Sequence, residues 1–288
     1  MSANPVFAIA FEGYSGTSIE TLLSASEAAE ARGWTMTIIG GPGCPYDPIT
    51  ALAAIAARTT RIGLAAVVDV DRTPPYDFAR CLASLDHVSS ARAAWKPTTR
   101  AQGAEAAARM NEFITVVSDL WDSWDDDAQL YDKARGLYVD LGKVHRLDHA
   151  GAAFRVAGPL DIPRPPQGRP VLVREMAESV DPDLSVADVV LLPSDTGTAS
   201  KGAPAPDRPI RIAGAPSGQS ETLSHRWSET GVPDGFLRRA EATPAGVALA
   251  SEGLPLSQSS IARDSPRAAL GLRRPSGRFA SVASERRV

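Results

Sequence analysis

The chain is poor in the residues that usually announce a chemistry. Two of its 288 residues are cysteine, Cys44 and Cys81, and four are histidine. Two cysteines exclude a disulfide framework, and no CxxC clip for a metal is present. Reduced, intracellular thiols are the default for such a chain. There is no basic excess: the net charge is −4, and no long basic stripe occurs. That argues against a nucleic-acid binder. No stretch reaches the roughly 20 consecutive apolar residues of a membrane span. The opening MSANPVFAIAF has no basic region followed by a long apolar run, so no signal peptide is read there. A soluble cytoplasmic protein is the expectation.

What is present is an ordinary globular composition, 43% hydrophobic and 22% charged. The length fits one α/β barrel or two smaller domains. Val6 to Phe11 reads as a buried strand. Thr17-Ser18-Ile19-Glu20 has capping-box spacing ahead of a helix that stops at Gly33. Trp34 to Ile39 is β-prone. Asp47 is a good N-cap with Pro48 at the first helical position. Arg61 to Val68 is a continuous apolar strand, as in a parallel sheet covered on both faces. Pro74 and Pro75 open a helix carrying Phe78, Leu82 and Leu85, and Arg92 to Trp95 is a fourth strand.

The longest helical pattern runs from Ala101 to Trp124. Asp125 to Asp127 follow, and acids at a helix C-terminus oppose the dipole. Residues 131–170 are extended and loop-rich. Short apolar runs at Val171 to Val173, Asp188 to Leu192, Ile210 to Ala213 and Gly235 to Leu237 complete about eight strands, with a short helix at Glu221 to Glu229. Strands alternating with helices imply βαβ units. About eight of them predict an α/β protein of the (β/α)8 TIM-type barrel class, with a doubly wound open sheet as the alternative. Residues 1–240 form the expected barrel. Residues 241–288 form an extension packed on it with a flexible end, and Arg273 to Arg287 read as a solvated tail.

Several longer blocks resemble a known family. DPITALAAIAARTTRIGL, PPYDFARCLASLDHVSSARAAW, RMNEFITVVSDLWDSWDDDA and KVHRLDHAGAAFRVAGPLDIPRPPQGRPVLV are similar to successive segments of the bacterial-luciferase-like flavin-dependent monooxygenases. The nearest branch is that of nitrilotriacetate monooxygenase component A, pristinamycin synthase and dibenzothiophene-sulfone monooxygenase. The resemblance implies a luciferase-like barrel, shortened by deletions. It also implies reduced FMN supplied by a separate flavin reductase, and oxygenation of a small organic substrate. The flavin would lie over the ends of strands two to five, near Gly41, Val70, Lys96 and Ser179.

The expected contacts differ from the family pattern. Gly41 stands where the family has an acid. Asp69-Val70-Asp71 stands where it has small hydroxyl residues. Lys96 replaces an asparagine, and a lysine only donates. In the run REMAES, Ser179 is the nearest hydroxyl to the family's phosphate turn, whose glycine is missing. Two readings stay open. One is a divergent flavin enzyme, with Lys96 or Arg174 holding the phosphate. The other is a barrel without flavin chemistry, serving as a binding or structural subunit of a homo- or hetero-oligomer. A pocket lined by Asp69, Asp71 and Lys96 without room for a flavin ring would favour the second.

Other clusters read as bland. His145 and His149 have i,i+4 spacing but sit in a turn with no third metal ligand. Asp119, Asp122 and Asp125 to Asp127 read as a solvated acidic turn. Gly40 to Gly43 lack phosphate-loop spacing, and Gly13-Tyr14-Ser15-Gly16 is not a nucleophile elbow. His87 reads as structural, and His225 and Cys81 as packing or surface. No catalytic residue and no metal site is assigned.

Overall fold

The computed structural model describes residues 6–12, 14, 16–176, 186–192, 210–214, 235–241, 267, 270 and 272–279. Eight parallel strands form one curled sheet. In chain order they are β1 (Val6–Glu12), β2 (Met36–Ile39), β3 (Gly63–Asp69), β4 (Ala93–Thr98), β9 (Val171–Glu175), β10 (Val189–Leu192), β11 (Ile210–Gly214) and β12 (Gly235–Glu241). β1 pairs with β2 on one side and β12 on the other, so the curled sheet meets itself. The four intervening strands belong to two hairpins outside this sheet: β5 (Gln129–Asp132) with β6 (Leu137–Val139), and β7 (His149–Ala150) with β8 (Arg155–Val156).

Helices α1 (Ile19–Ala31), α2 (Pro48–Arg58), α3 (Pro75–Val88) and α4 (Ala104–Trp121) follow the first four strands. The helix expected at Glu221 to Glu229 lies outside the described residues. No helix among the described residues is long and apolar enough to cross a membrane.

Alternation along each strand sorts its side chains between two cores. Ala8, Ala10, Met36, Ile38, Ala65, Ala94, Val171, Val173, Val189, Leu191 and Leu237 fill the inside of the sheet. Ile9, Phe11, Ile39, Leu64, Ala66, Val68, Trp95 and Leu172 face the helices. Burial on both faces explains the continuous apolar strands. Trp95 packs its ring against Phe78 of α3 and against Phe113 and Trp121 of α4, with centroids 5.3, 6.3 and 5.7 Å away. Fixing Trp95 outward turns its neighbour Lys96 inward.

Three local details differ from the expectations. The cap of α1 is Ser18, whose hydroxyl accepts from Thr21 N at 3.2 Å. Thr17 instead closes a turn on Tyr14 O. Helix α4 starts at Ala104, after the N-cap Gly103 whose φ is +89°, rather than at Ala101, and ends at Trp121 rather than near Trp124. The Asp122 carboxylate that follows is held by Arg164 and Arg169. The acidic run is not a solvated turn. Asp122 is buried, Asp126 pairs with Arg164 and Arg274, and Asp119 pairs with Arg278. Those partners also alter the reading of the tail: Arg274 and Arg278 are docked, and Phe279 stacks on His145 at 4.5 Å.

Candidate functional site

The strands end in charge on the side where their C-termini converge. In five of the strands a charged residue comes two places beyond the last apolar inward position: Glu12 after Ala10, Asp69 after Val67, Lys96 after Ala94, Glu175 after Val173 and Arg239 after Leu237. Four of these join into a chain of alternating sign: Lys96 with Glu175, Glu175 with Arg239, and Arg239 with Glu12. Arg239 and Glu175 belong to β12 and β9, between which lie β11 and β10, so this pair reaches across the inside of the sheet. Burial works to raise the Glu175 carboxyl. Lys96 and Arg239 outweigh it and hold the group below the usual carboxylate range.

Above this ionic floor is a cavity of about 1050 Å³. Its wall includes Glu12, Tyr14, Gly40 to Cys44, Asp69, Lys96 and Arg239, with Arg72 and Arg100 on the rim. The volume is at the upper end for small-molecule and cofactor sites. The loop after β2 is shaped by two glycines with different reasons. A Cβ on Gly40, whose φ is +117°, would sit 2.8 Å from Pro48 Cγ and 3.1 Å from Val67 O. Gly41, with φ +101°, has nothing within 4 Å of where its Cβ would be. Its backbone is open to the cavity. Tyr14 pins this loop: its hydroxyl accepts from Gly40 N at 2.9 Å and donates to Gly40 O at 3.4 Å. Burial, opposed by the Gly40 bond, pushes the phenol well above its ordinary range, so it stays protonated.

Of the four residues expected near a flavin, Gly41 and Lys96 line the cavity together. Val70 does not: it is fully buried in the core shared with the helices. Ser179 lies outside the described residues. Asp69 faces the cavity, whereas Asp71 turns away and accepts from Thr99 Oγ1 at 2.8 Å and Arg100 N at 3.2 Å, tying two strand-end loops together. Arg174 is buried and contacts Asn111 of α4 at 3.4 Å, away from the cavity. Sequence reasoning misses Glu175, Arg239 and Glu12. A signal for one of them exists: continuing the alternation of Val171 and Val173 turns Glu175 inward. Nothing local signals their pairing, because Arg239 and Glu12 are 227 positions apart.

The three histidines among the described residues take no part. His145 meets Asp125 at 3.1 Å and His149 meets Glu112 at 3.0 Å. His87 lies 3.3 Å from Pro163 O. Among the described residues no group of three or more His, Cys, Asp or Glu is placed to hold a metal ion. Cys81 is exposed and Cys44 half-buried, and both line the cavity. His225 lies outside the described residues.

A curled parallel sheet with helices outside and a cavity over the C-terminal strand ends is the layout of TIM-type enzyme scaffolds, whose sites sit on that face. Comparison with known proteins makes this specific. The family model described as luciferase-like monooxygenase matches residues 6–187. The chain is 37% identical over 267 residues to one of the subunits of pristinamycin IIA synthase from Streptomyces pristinaespiralis, covering 90% of this chain and 91% of that one. It therefore belongs to the luciferase-like monooxygenase family. Other curated relatives match over shorter stretches, and the matched part spans 29–37% of their length. Among solved structures, EDTA monooxygenase from Chelativorans sp. BNC1 superposes with a TM-score of 0.74 at 17% identity, covering 94% of this chain and 99% of that one. Riboflavin lyase, solved with modified FMN and riboflavin, gives a TM-score of 0.68 at 18% identity, covering 96% and 98%. These two likenesses concern the fold.

Proposed function

We propose that this chain is the flavin-binding oxygenase component of a two-component monooxygenase, built on a complete but shortened (β/α)8 barrel. The observation that carries the reading is the cavity of about 1050 Å³ over the strand ends. A pocket closed down around Asp69, Asp71 and Lys96 would have opposed it; Asp71 points elsewhere and the space is open. The residues present fit a flavin in three respects. Gly41 offers bare backbone to the cavity. Lys96, Arg239 and Glu12 form a polar floor. Arg72 and Arg100 place exposed guanidinium groups on the rim, within reach of a phosphate.

Bound reduced FMN would supply the electrons and the centre at which dioxygen is activated. The chain's own part is to orient the ring over the ionic floor, keep bulk water from it and admit a small organic substrate beside it. A separate flavin reductase would deliver FMNH2. The 37%-identical relative is by name one part of a synthase with more than one kind of chain, which supports a multi-component arrangement.

A second reading is favoured by one observation. Lys96 is neutralised by Glu175, so it is not a free cation for a phosphate. On that reading the barrel is a non-catalytic subunit. Titration of the purified chain with FMN and, anaerobically, with FMNH2 separates the two. Saturable binding with a perturbed flavin spectrum is expected. No binding at about millimolar flavin, roughly −4 kcal/mol, would leave the non-catalytic reading.

A further inference from the structure

Of the charged side chains at the strand ends, four satisfy one another and one does not. Lys96, Glu175, Arg239 and Glu12 alternate in sign and balance two against two. Asp69 stands outside that chain. Its Oδ1 accepts from Asp71 N at 3.0 Å. Among the described residues no cation pairs with it. Arg109, which reaches this loop, lies 3.8 Å from Asp71 instead.

The sheet register places Asp69 above the ionic floor. Val67 lies beside Lys96 and Asp69 beside Thr98. The Asp69 carboxylate is therefore one inward layer nearer the mouth than the Lys96 amine. The Thr98 hydroxyl is committed to Val68 O at 3.2 Å. A half-buried carboxylate without a counter-charge favours a ligand that brings one.

The charge balance of the loaded cavity agrees, with flavin bound as proposed above, on which this reading rests. The flavin phosphate would offset Arg72 and Arg100 on the rim. The other acids of the wall are Asp47 and Asp77, at the starts of α2 and α3, where helix dipoles favour acids. Asp47 is also occupied, accepting from Thr50 N and Oγ1 at 2.8 Å each. That leaves the Asp69 charge for the substrate to balance. The same wall carries Pro42, Tyr46, Ile49 and Phe78, which suit an apolar body.

We infer that Asp69 is a specificity-determining residue of this cavity and that the substrate is a small organic cation, a protonated amine on an apolar or aromatic body. The ammonium group donates to Asp69, and the apolar body lies along the wall between the loops that follow β2 and β3. A carboxylate of similar size is rejected, because it brings like charges together.

The test uses three probes of similar size: benzylamine, benzyl alcohol and benzoate. Each is titrated into the full chain by ligand-observed NMR, with and without saturating FMN, and FMN itself is titrated in parallel. Benzylamine is expected to bind about tenfold or more tightly than benzyl alcohol, with benzoate weakest. The amine preference narrows as salt is raised. Asp69→Asn keeps an acceptor for Asp71 N, so the loop is retained. It brings benzylamine down to the level of benzyl alcohol while FMN still binds. Asp69→Glu keeps the charge and with it part of the preference. Equal binding of benzylamine and benzyl alcohol overturns the inference. So does an amine preference that survives Asp69→Asn, or benzoate binding as tightly as benzylamine. Failure of FMN to bind sinks the flavin reading instead, and the probe series on the free chain then decides the role of Asp69 by the same outcomes.

Discussion

The two ends of the sheet use the same kinds of residue to opposite purposes. At the N-terminal strand ends, acids and arginines are buried and saturated. Asp86 accepts from Ala93 N at 3.0 Å and from Gln167 Nε2 at 2.6 Å. Arg92 donates to Ser89 O, Ala56 O and Thr59 O within 3.0 Å. Asp188 caps Leu172 N and pairs with Arg267. Asp122 receives Arg164, Arg169 and the backbone of Arg278. At the C-terminal ends, Glu12, Asp69, Lys96 and Arg239 border a cavity, and Glu175 links Lys96 to Arg239. Charge buried with every bond made fixes a structure. Charge left facing a space is available to a ligand. The comparison therefore divides stability from function along the strand axis, as TIM-type scaffolds do generally.

The sharpest way to break that division is to cut one charge from each end. Asp122→Ala strands Arg164, whose side chain is 3% exposed, without its main carboxylate. Losing one partner of a buried pair costs about 3–5 kcal/mol. Urea unfolding should show a loss of that order, with cavity ligand affinity unchanged in the protein that remains folded. A loss under about 1 kcal/mol would mean that the closed side is not the stabilising one.

A smaller effect separates two adjacent glycines of the mouth. Gly40→Ala needs both an unfavourable positive φ and a Cβ 2.8 Å from Pro48 Cγ. It should cost about 2–4 kcal/mol, from a left-handed alanine of about 1–2 kcal/mol plus the overlap. Gly41→Ala needs only the positive φ, so about 1–2 kcal/mol is expected. Its methyl would occupy cavity space and so reduce flavin affinity. Thermal melts and FMN titration of the two variants give the two readouts. Equal destabilisation by both would contradict the close packing at Gly40.

These contrasts also explain what could be read in the sequence. The eight strands and first four helices are written in local patterns: Asp47-Pro48 as a cap, Pro74-Pro75 as a start, apolar runs as buried strands. Such signals act within a few residues. The ionic features act over long separations. Asp126 reads as solvated within its acidic run because its partners, Arg164 and Arg274, are 38 and 148 positions away. Lys96 stands out as a departure from the family pattern, but Glu175, which neutralises it, is 79 positions on. Val70 lies beside the right strand end, yet strand alternation turns it into the helix layer while Asp69 faces the cavity. The scaffold is therefore legible in the sequence and the character of its mouth is not.

Glu175→Gln tests that character directly. It removes the charge that neutralises Lys96 and one of the two that hold Arg239, leaving the floor more positive. Affinity for inorganic phosphate and FMN should rise severalfold at low salt, the gain shrinking as salt screens it. Stability should change by about 1 kcal/mol or less, since the carboxylate is about one-third exposed. Unchanged affinity would show that the floor does not face the ligand.

The smallest expected effect is the acid behaviour of the closed side. Asp126 is held down to about 2 by its hydrogen bond with Arg274, with burial opposing and Arg164 adding to the lowering. An unfolded aspartate titrates near 4, roughly. A carboxyl depressed on folding contributes stability that is fully present above that unfolded value and is lost as pH falls toward the folded one. Between about pH 4 and pH 2, then, the contact between Asp126 and the segment bearing Arg274 should weaken. Because Asp126 is half exposed, solvent limits the size of the change. Trp124 donates to Leu160 O at 2.7 Å close to this contact, so its fluorescence can report the step. Asp126→Asn should abolish the pH-dependent part of that signal. If the asparagine variant keeps the same acid transition, Asp126 is not the group that ties the C-terminal segment to the end of α4.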